Sequence, residues 1–171
     1  CTLYVPYGSK ATYATTSGWK EFANIVETNP EISISVDNLS TTPGRSITLP
    51  VAMSNSEAIT AFQMDLTLPE EVNFTSVTLG NDRTTESHTI QTSVLANGKR
   101  RIIAYSSKNT PFNLNEGTLL NINLDVPKET ENGDYEVELS NIRLIMPNSK
   151  EILQDNVTTN INVKMPWGDA N

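Results

Sequence analysis

The sequence predicts an all-β protein built as a β-sandwich of about nine strands. Three observations predict it: apolar and polar residues alternate in segment after segment beyond residue 31, turn residues separate these segments, and almost no helical periodicity is present there. Strands with one apolar and one polar face are what two sheets packed face to face require. Alternation alone does not separate an immunoglobulin-like from a jelly-roll topology, although the absence of a Cys…Trp…Cys pattern weakens the immunoglobulin alternative.

The first 30 residues have a different character. Residues 2–6 predict a short strand that Pro6 ends, and Ser9 is a suitable N-cap for a short helix through Ala14. Beyond Gly18, the apolar residues Trp19, Phe22 and Ile25 are spaced by three, as on one face of a further helical turn.

A segment of this size is too small to bury its own aromatic residues, so it is expected to be a cap or the remnant of a larger unit. We expect it to pack through Tyr4, Trp19, Phe22 and Ile25 without joining the sheets of the sandwich. The expected organisation is therefore a cap over residues 1–30, a sandwich over residues 31–165 and a linker or further segment over residues 166–171.

Within the sandwich, the clearest strand is the run from Phe62 to Leu68, which places four apolar residues on one face. A bulge is expected near Ser76, and Asn97-Gly98 between two β-rich runs is a strong hairpin signal. The nine predicted strands are residues 32–36, 47–53, 62–68, 72–79, 89–95, 100–106, 120–126, 135–139 and 157–163.

Composition and charge exclude several classes of partner. The chain has 171 residues and a net charge of -8, and an acidic protein repels phosphate backbones, so nucleic acid is not expected as a partner. The basic run Lys99-Arg100-Arg101 follows the Asn-Gly turn and is expected to be a solvated hairpin end. No apolar run is long enough to span a membrane, and Cys1 is the single cysteine, which excludes an internal disulfide.

The sequence carries no signature of catalysis, and we expect that the chain is not an enzyme. His88 is the single histidine and is expected to be a solvated loop residue, so a multi-histidine metal site is excluded. No G-x-S-x-G elbow and no phosphate-binding glycine loop are present. Glu136 and Glu138 alternate with apolar residues, as on a solvated strand face, so neither catalytic residues nor a cofactor is predicted.

An aromatic platform for sugar stacking is also not supported. Trp19 and Trp167 both lie outside the predicted sandwich, and Phe62 and Tyr135 share faces with apolar core residues. A carbohydrate site in a polar cleft stays open as the alternative to protein binding.

Residues 32–164 resemble cohesin-like domains. The resemblance rests on Pro43-Gly44 with the strand that follows it, on the segment from Ile59 to Pro69, and on Gly117-Thr118-Leu119-Leu120. Leu68 stands where the family strand has an aspartate before its proline. The resemblance implies a nine-stranded jelly-roll sandwich.

Two flanking segments resemble other modules. Residues 1–27, with Leu3-Tyr4-Val5-Pro6 and then Trp19, Phe22 and Ile25, resemble the last repeat of BspA-type leucine-rich repeat domains. In that family the first position lies inside a strand, which favours an ordinary strand residue over a lipid-modified terminus for Cys1. The end of the chain, Gly168-Asp169-Ala170-Asn171, is similar to the opening of a dockerin calcium loop, but too few oxygen ligands are present for a calcium site.

Together these resemblances imply a monomeric protein-interaction or spacer module of a secreted or surface-displayed bacterial protein. The expected partner is a dockerin-like module, and the alternative is a carbohydrate-binding module that takes a polysaccharide. In cohesins the dockerin docks on the outer surface of one sheet, which includes the strand that matches residues 61–68. The predicted partner-binding residues are the polar side of that strand, Ala61, Gln63, Asp65 and Thr67.

Overall fold

The structure, a computed structural model, describes residues 1–29 and 31–166. The predicted dockerin-like opening at Gly168–Asn171 lies outside the described residues. The elements are β1 (Thr2–Val5), α1 (Lys10–Thr15), β2 (Asn24–Glu27), β3 (Ile32–Ser35), β4 (Leu39–Thr41), β5 (Arg45–Asn55), β6 (Ala61–Thr67), β7 (Asn73–Leu79), β8 (His88–Val94), β9 (Arg100–Ser106), β10 (Thr118–Val126), β11 (Gly133–Ile145), β12 (Glu151–Gln154) and β13 (Val157–Val163).

Two sheets form the sandwich. The first sheet has the strand order β3-β5-β10-β7, and the second has the order β4-β13-β11-β6-β9-β8, with β12 paired to β11 beside β13. Consecutive neighbours are antiparallel except for β4, which runs parallel to β13. The predicted jelly-roll sandwich is confirmed.

All nine predicted strands are present, and the described residues add two short strands, β4 and β12, of three and four residues. These two are too short to show a clear alternation of polarity. The structure also extends the predicted strand 135–139 to thirteen residues in β11. The predicted bulge near Ser76 is confirmed, because the pairing of β10 with β7 shifts between Asn123 and Leu124.

The core lies between the inward faces of the two sheets. Phe62, Met64 and Leu66 of β6 are almost fully buried, as the alternation predicts, and Leu68 packs partly buried against the same core just beyond the strand. Burying a large apolar side chain contributes about 1.5–3 kcal/mol, so this strand contributes strongly to the stability of the sandwich.

Residues 1–29 lie outside both sheets of the sandwich. Strands β1 and β2 pair only with each other, in parallel, and α1 lies between them in the chain. Trp19 stacks on Phe22 and meets Tyr13 edge to face, with ring centroids 6.2 and 5.7 Å apart.

Two expectations for this unit are wrong. Tyr4 is exposed and not part of its packing, and Ile25 lies in β2 rather than on a helical turn. The three-residue spacing that suggested a helix spans a turn followed by a strand. Tyr7 is the partly buried apolar residue of this unit that packs against the sandwich core.

Candidate interaction face

An exposed apolar surface of the sandwich lies on the second sheet. We call the outward side of β8, β9, β6, β11 and β12 the outer face. Strand register places its side chains in rows that cross all five strands, because outward residues of neighbouring strands stand opposite one another. One row is Leu153, Arg143, Gln63, Ile103 and Gln91, and the next is Glu151, Ile145, Ala61, Tyr105 and Thr89.

These two rows carry large apolar side chains that face water. Leu153 is 68% exposed, Tyr105 is 38% exposed and Ile103 is 36% exposed. Ile145 and Ala61 lie between them and are half-buried. Scattered single apolar residues are ordinary on a protein surface, whereas five in two adjacent rows indicate an interaction site.

In the next row of the outer face, an ion pair joins β6 to β9. Asp65 of β6 stands opposite Arg101 of β9, whose Nε and Nη2 donate to the two carboxylate oxygens at 2.8 and 2.9 Å. Asn141 Nδ2 donates to the same carboxylate at 3.2 Å, and Asp65 is only 5% exposed. The Arg101 hydrogen bonds hold the pKa of Asp65 below its ordinary value although burial opposes them, and Asp65 in turn raises the pKa of Arg101.

Two further ion pairs lie on this face. Lys99 Nζ is 3.8 Å from Glu138 Oε1, and Arg143 Nη1 is 3.1 Å from Glu151 Oε1. All three ion pairs of the described residues are therefore on the outer face. Each of these pairs joins opposite charges, so the apolar rows are the distinctive feature of the surface between them.

The basic run at residues 99–101 differs from the expected solvated hairpin end. The hairpin is present, with Gly98 at its turn, but its three cations point to three different partners. Arg100 lies over the ring of Phe74 at 3.9 Å, while Lys99 and Arg101 pair with Glu138 and Asp65. They do not form one basic patch.

The four predicted partner-binding residues do lie on the outer face, but they differ in what they offer. Ala61 and Gln63 are half-buried within the apolar rows. Asp65 does not have the free hydrogen-bonding groups that the alternation suggested, because Arg101 and Asn141 occupy its carboxylate. The hydroxyl of Thr67 is buried and has no hydrogen-bond partner among the residues that the structure describes.

Sequence reasoning missed the apolar residues of β9, β11 and β12 on this face. The signal was present in β9, where Ile102-Ile103-Ala104-Tyr105 is apolar on both sides of the strand. A strand that is apolar on both sides either is buried on both or presents one side to a partner. Leu153 had no such signal, because β12 is short.

His88 is buried, which corrects the expectation of a solvated loop histidine. Its ring stacks on Phe112 at 4.4 Å, and the backbone N–H of Thr85 donates to Nδ1 at 3.0 Å. Nε2 therefore carries the proton and donates to the carbonyl of Thr110 at 3.0 Å. The histidine acts as a structural link between two loops.

In residues 1–29 and 31–166, no group of three or more histidine, cysteine, aspartate or glutamate residues could hold a metal ion. Within the same ranges, no helix has the length and apolar character needed to cross a membrane.

The fold and the outer face together define a β-sandwich module suited to binding another protein. The family model for the cohesin domain matches residues 32–165, and the chain belongs to the cohesin family. No curated protein matches the sequence.

Solved cohesin structures share this fold at low sequence identity. The cohesin CaCohA2 from Clostridium acetobutylicum has a TM-score of 0.66 at 20% identity, over 78% of this chain and 90% of that one. The sixth cohesin of scaffoldin B from Acetivibrio cellulolyticus, solved with a Cel5 dockerin, has a TM-score of 0.67 at 16% identity, covering 78% and 99%. The OlpA cohesin of Clostridium thermocellum, solved with a dockerin, has the same TM-score at 15% identity and the same coverage.

Proposed function

We propose that this chain is a non-catalytic module that binds a dockerin-bearing protein through the outer face. The observation that carries the proposal is the pair of apolar rows, in which Ile103, Tyr105 and Leu153 face water on rigid strands. Membership of the cohesin family supports it, as do the dockerin complexes of similar structures.

The chemistry of the outer face indicates the chemistry of its partner. Apolar side chains at the centre of an interface gain free energy when water leaves them, and a polar rim fixes orientation. Here the rim consists of ion pairs that are already satisfied, so a partner needs no strong charge of its own. We expect the partner to present apolar and small polar side chains to Ile103, Tyr105 and Leu153.

The test is a binding measurement with immobilised dockerin modules from the same genome. We expect Ile103→Ala and Tyr105→Ala each to weaken binding at least about tenfold, because central interface residues carry most of the binding energy. Thr78→Ala is the matched control, since Thr78 is exposed on the outward side of the first sheet. Unchanged affinity in the Ile103 and Tyr105 double variant would reject the outer face, and a wild-type chain that binds none of these dockerins would reject the proposed partner.

We also propose that the module is monomeric and works in a secreted or surface-displayed multidomain protein. The support is its family, in which scaffoldin cohesins are components of larger chains. The cap over residues 1–30 is proposed to be a terminal leucine-rich repeat, and its parallel β1–β2 pair with a helix between the strands supports a repeat of that kind.

A further inference from the structure

A groove lined by both polar and apolar groups lies on the other side of the sandwich from the outer face. It runs between the ends of β3 and β5 in the first sheet and the loop before β10, and its volume is about 970 Å³. We call it the serine groove. Its polar lining residues are Glu31, Ser35, Ser54, Asn55, Ser56, Asn115 and Glu116.

The walls of the serine groove are fixed by backbone hydrogen bonds. The N–H groups of Met53 and Asn55 in β5 donate to the carbonyls of Gly117 and Asn115 at 3.0 and 2.8 Å, so the loop is joined to the strand. On the opposite wall, the backbone N–H of Glu31 donates to Ser56 Oγ at 2.8 Å. The groove is therefore part of the rigid sheet edge.

The buried side chain of Arg83 is hydrogen-bonded to two residues that line the groove, Met53 and Asn55. Arg83 is fully buried, and its two terminal nitrogens donate at 2.7 Å to the carbonyl of Met53 and to Asn55 Oδ1. Burial lowers the pKa of Arg83, and its Nε has no partner among the described residues. Two groove residues are thus held in place from the protein interior, as a preformed binding site requires.

Five of the polar side chains that line the groove, unlike those of Asn55 and Ser56, are not used by the protein itself. The hydroxyls of Ser35 and Ser54, the Asn115 amide and the carboxylates of Glu31 and Glu116 make no side-chain hydrogen bond or ion pair with other described residues. Leu114 stands at the rim, 64% exposed, with a φ of 60° that is uncommon for a residue other than glycine. Within residues 1–29 and 31–166, no lysine or arginine lines the groove.

We propose that the serine groove binds a neutral saccharide chain. A sugar carries many hydroxyls, each both donor and acceptor, and these match carboxylate, hydroxyl and amide groups spread over two walls. The apolar face of a sugar ring would pack on Leu114 and Ala52. A cationic ligand would engage the two carboxylates but few of the hydroxyl and amide groups, so it would use less of the lining than a sugar does. The volume lies in the range of small-ligand sites.

The test is backbone amide NMR of the whole chain with neutral glucan, xylan and mannan oligosaccharides at about 10 mM, where even millimolar binding is detectable. We expect shift changes confined to residues 31–35, 52–56 and 114–117 for at least one sugar. Glu116→Gln and Ser54→Val should each weaken that binding about tenfold or more, while Glu136→Gln, an exposed glutamate of β11, should not.

Two outcomes would overturn this proposal: no shift change with any sugar, and shift changes located outside the groove. In the first case, binding of an oligolysine peptide at these residues would assign the groove to a cationic ligand. Binding of dockerin in the Glu116→Gln variant is measured in parallel and should equal that of the wild type. Failure of the saccharide proposal is therefore distinguishable from failure of the proposed dockerin function.

Discussion

Asp65 and Arg101 stand opposite each other on β6 and β9 and are joined by two charge-assisted hydrogen bonds on the outer face. The pair connects β6 to β9 in the middle of the second sheet, and its two residues are 36 positions apart in the sequence. Asp65 is almost fully buried and its carboxylate is already hydrogen-bonded to Arg101. The carboxylate therefore stabilises the unbound protein.

This pair predicts a specific pH dependence of stability. The pKa of Asp65 is lowered in the folded protein, mainly by its hydrogen bonds from Arg101. The pair therefore contributes its full stabilisation above about pH 4, where an aspartate of the unfolded chain is ionised, and loses it as the pH falls through the lower folded-state pKa.

We expect Asp65→Asn to destabilise the protein by about 1–3 kcal/mol at pH 7, because Arg101 loses its charged partner. The exposure of Arg101 keeps the loss toward the lower end. The difference from the wild type should shrink on acidification below pH 4, as measured by urea unfolding at several pH values. A difference that stays constant down to pH 2 would show that the carboxylate does not titrate as an ion pair. Because Asp65→Asn is expected to lower stability, a loss of dockerin affinity in this variant would not by itself assign Asp65 to the interface.

Leu153 provides a cleaner test of the outer face. It is largely exposed, so Leu153→Ala should change the free energy of unfolding by less than about 0.5 kcal/mol. If the partner covers β12, the same change should weaken dockerin binding several-fold, as measured by titration calorimetry. An unchanged affinity would restrict the interface to β6, β8, β9 and β11.

Phe62 tests the core. Its side chain is buried on the inward face of β6 and contacts Phe112 with ring centroids 5.8 Å apart. Phe62→Ala should destabilise the sandwich by about 3–5 kcal/mol in chemical denaturation, because a cavity remains. Gln63→Ala, the outward neighbour, is the control and should cost far less. A loss below about 1 kcal/mol for Phe62→Ala would contradict the assigned face.

Gly80 marks a close approach between β7 and β10. A Cβ at this position would lie 2.0 Å from the carbonyl oxygen of Thr118, which is backbone and cannot move aside cheaply. Gly80→Ala should therefore lower the thermal midpoint strongly or prevent folding. Gly98→Ala is the comparison: nothing lies within 4 Å of its Cβ position, so its cost is conformational, about 1 kcal/mol at its positive φ. Equal effects of the two changes would contradict the close approach.

Removal of residues 1–30 tests the proposed boundary between cap and sandwich. The β1–β2 pair makes no strand pairing with either sandwich sheet, and Tyr7 is the partly buried residue of this unit on the core. We expect the trimmed chain to unfold cooperatively and to keep its dockerin binding. An unfolded product would show that the cap is integral to the sandwich. Tyr7→Ala in the full chain measures the contribution of that single contact.

The sequence by itself determined the strands and their inward faces. Alternation in the run from Phe62 to Leu66 is a local property, and one face must be apolar whenever a strand covers a core, so the buried residues followed from their spacing. The Asn-Gly turn determined the β8–β9 hairpin for the same local reason.

Only the tertiary structure decided which polar side chains stay available to a partner. Asp65 appears free on a polar strand face until the register of β6 against β9 places Arg101 opposite it. His88 is covered by Phe112 in the same way, and the serine groove joins Glu31, Ser54 and Glu116 from three separate parts of the chain. Availability depends on neighbours across strands, and the register that brings those neighbours together is set by packing between residues far apart in the sequence.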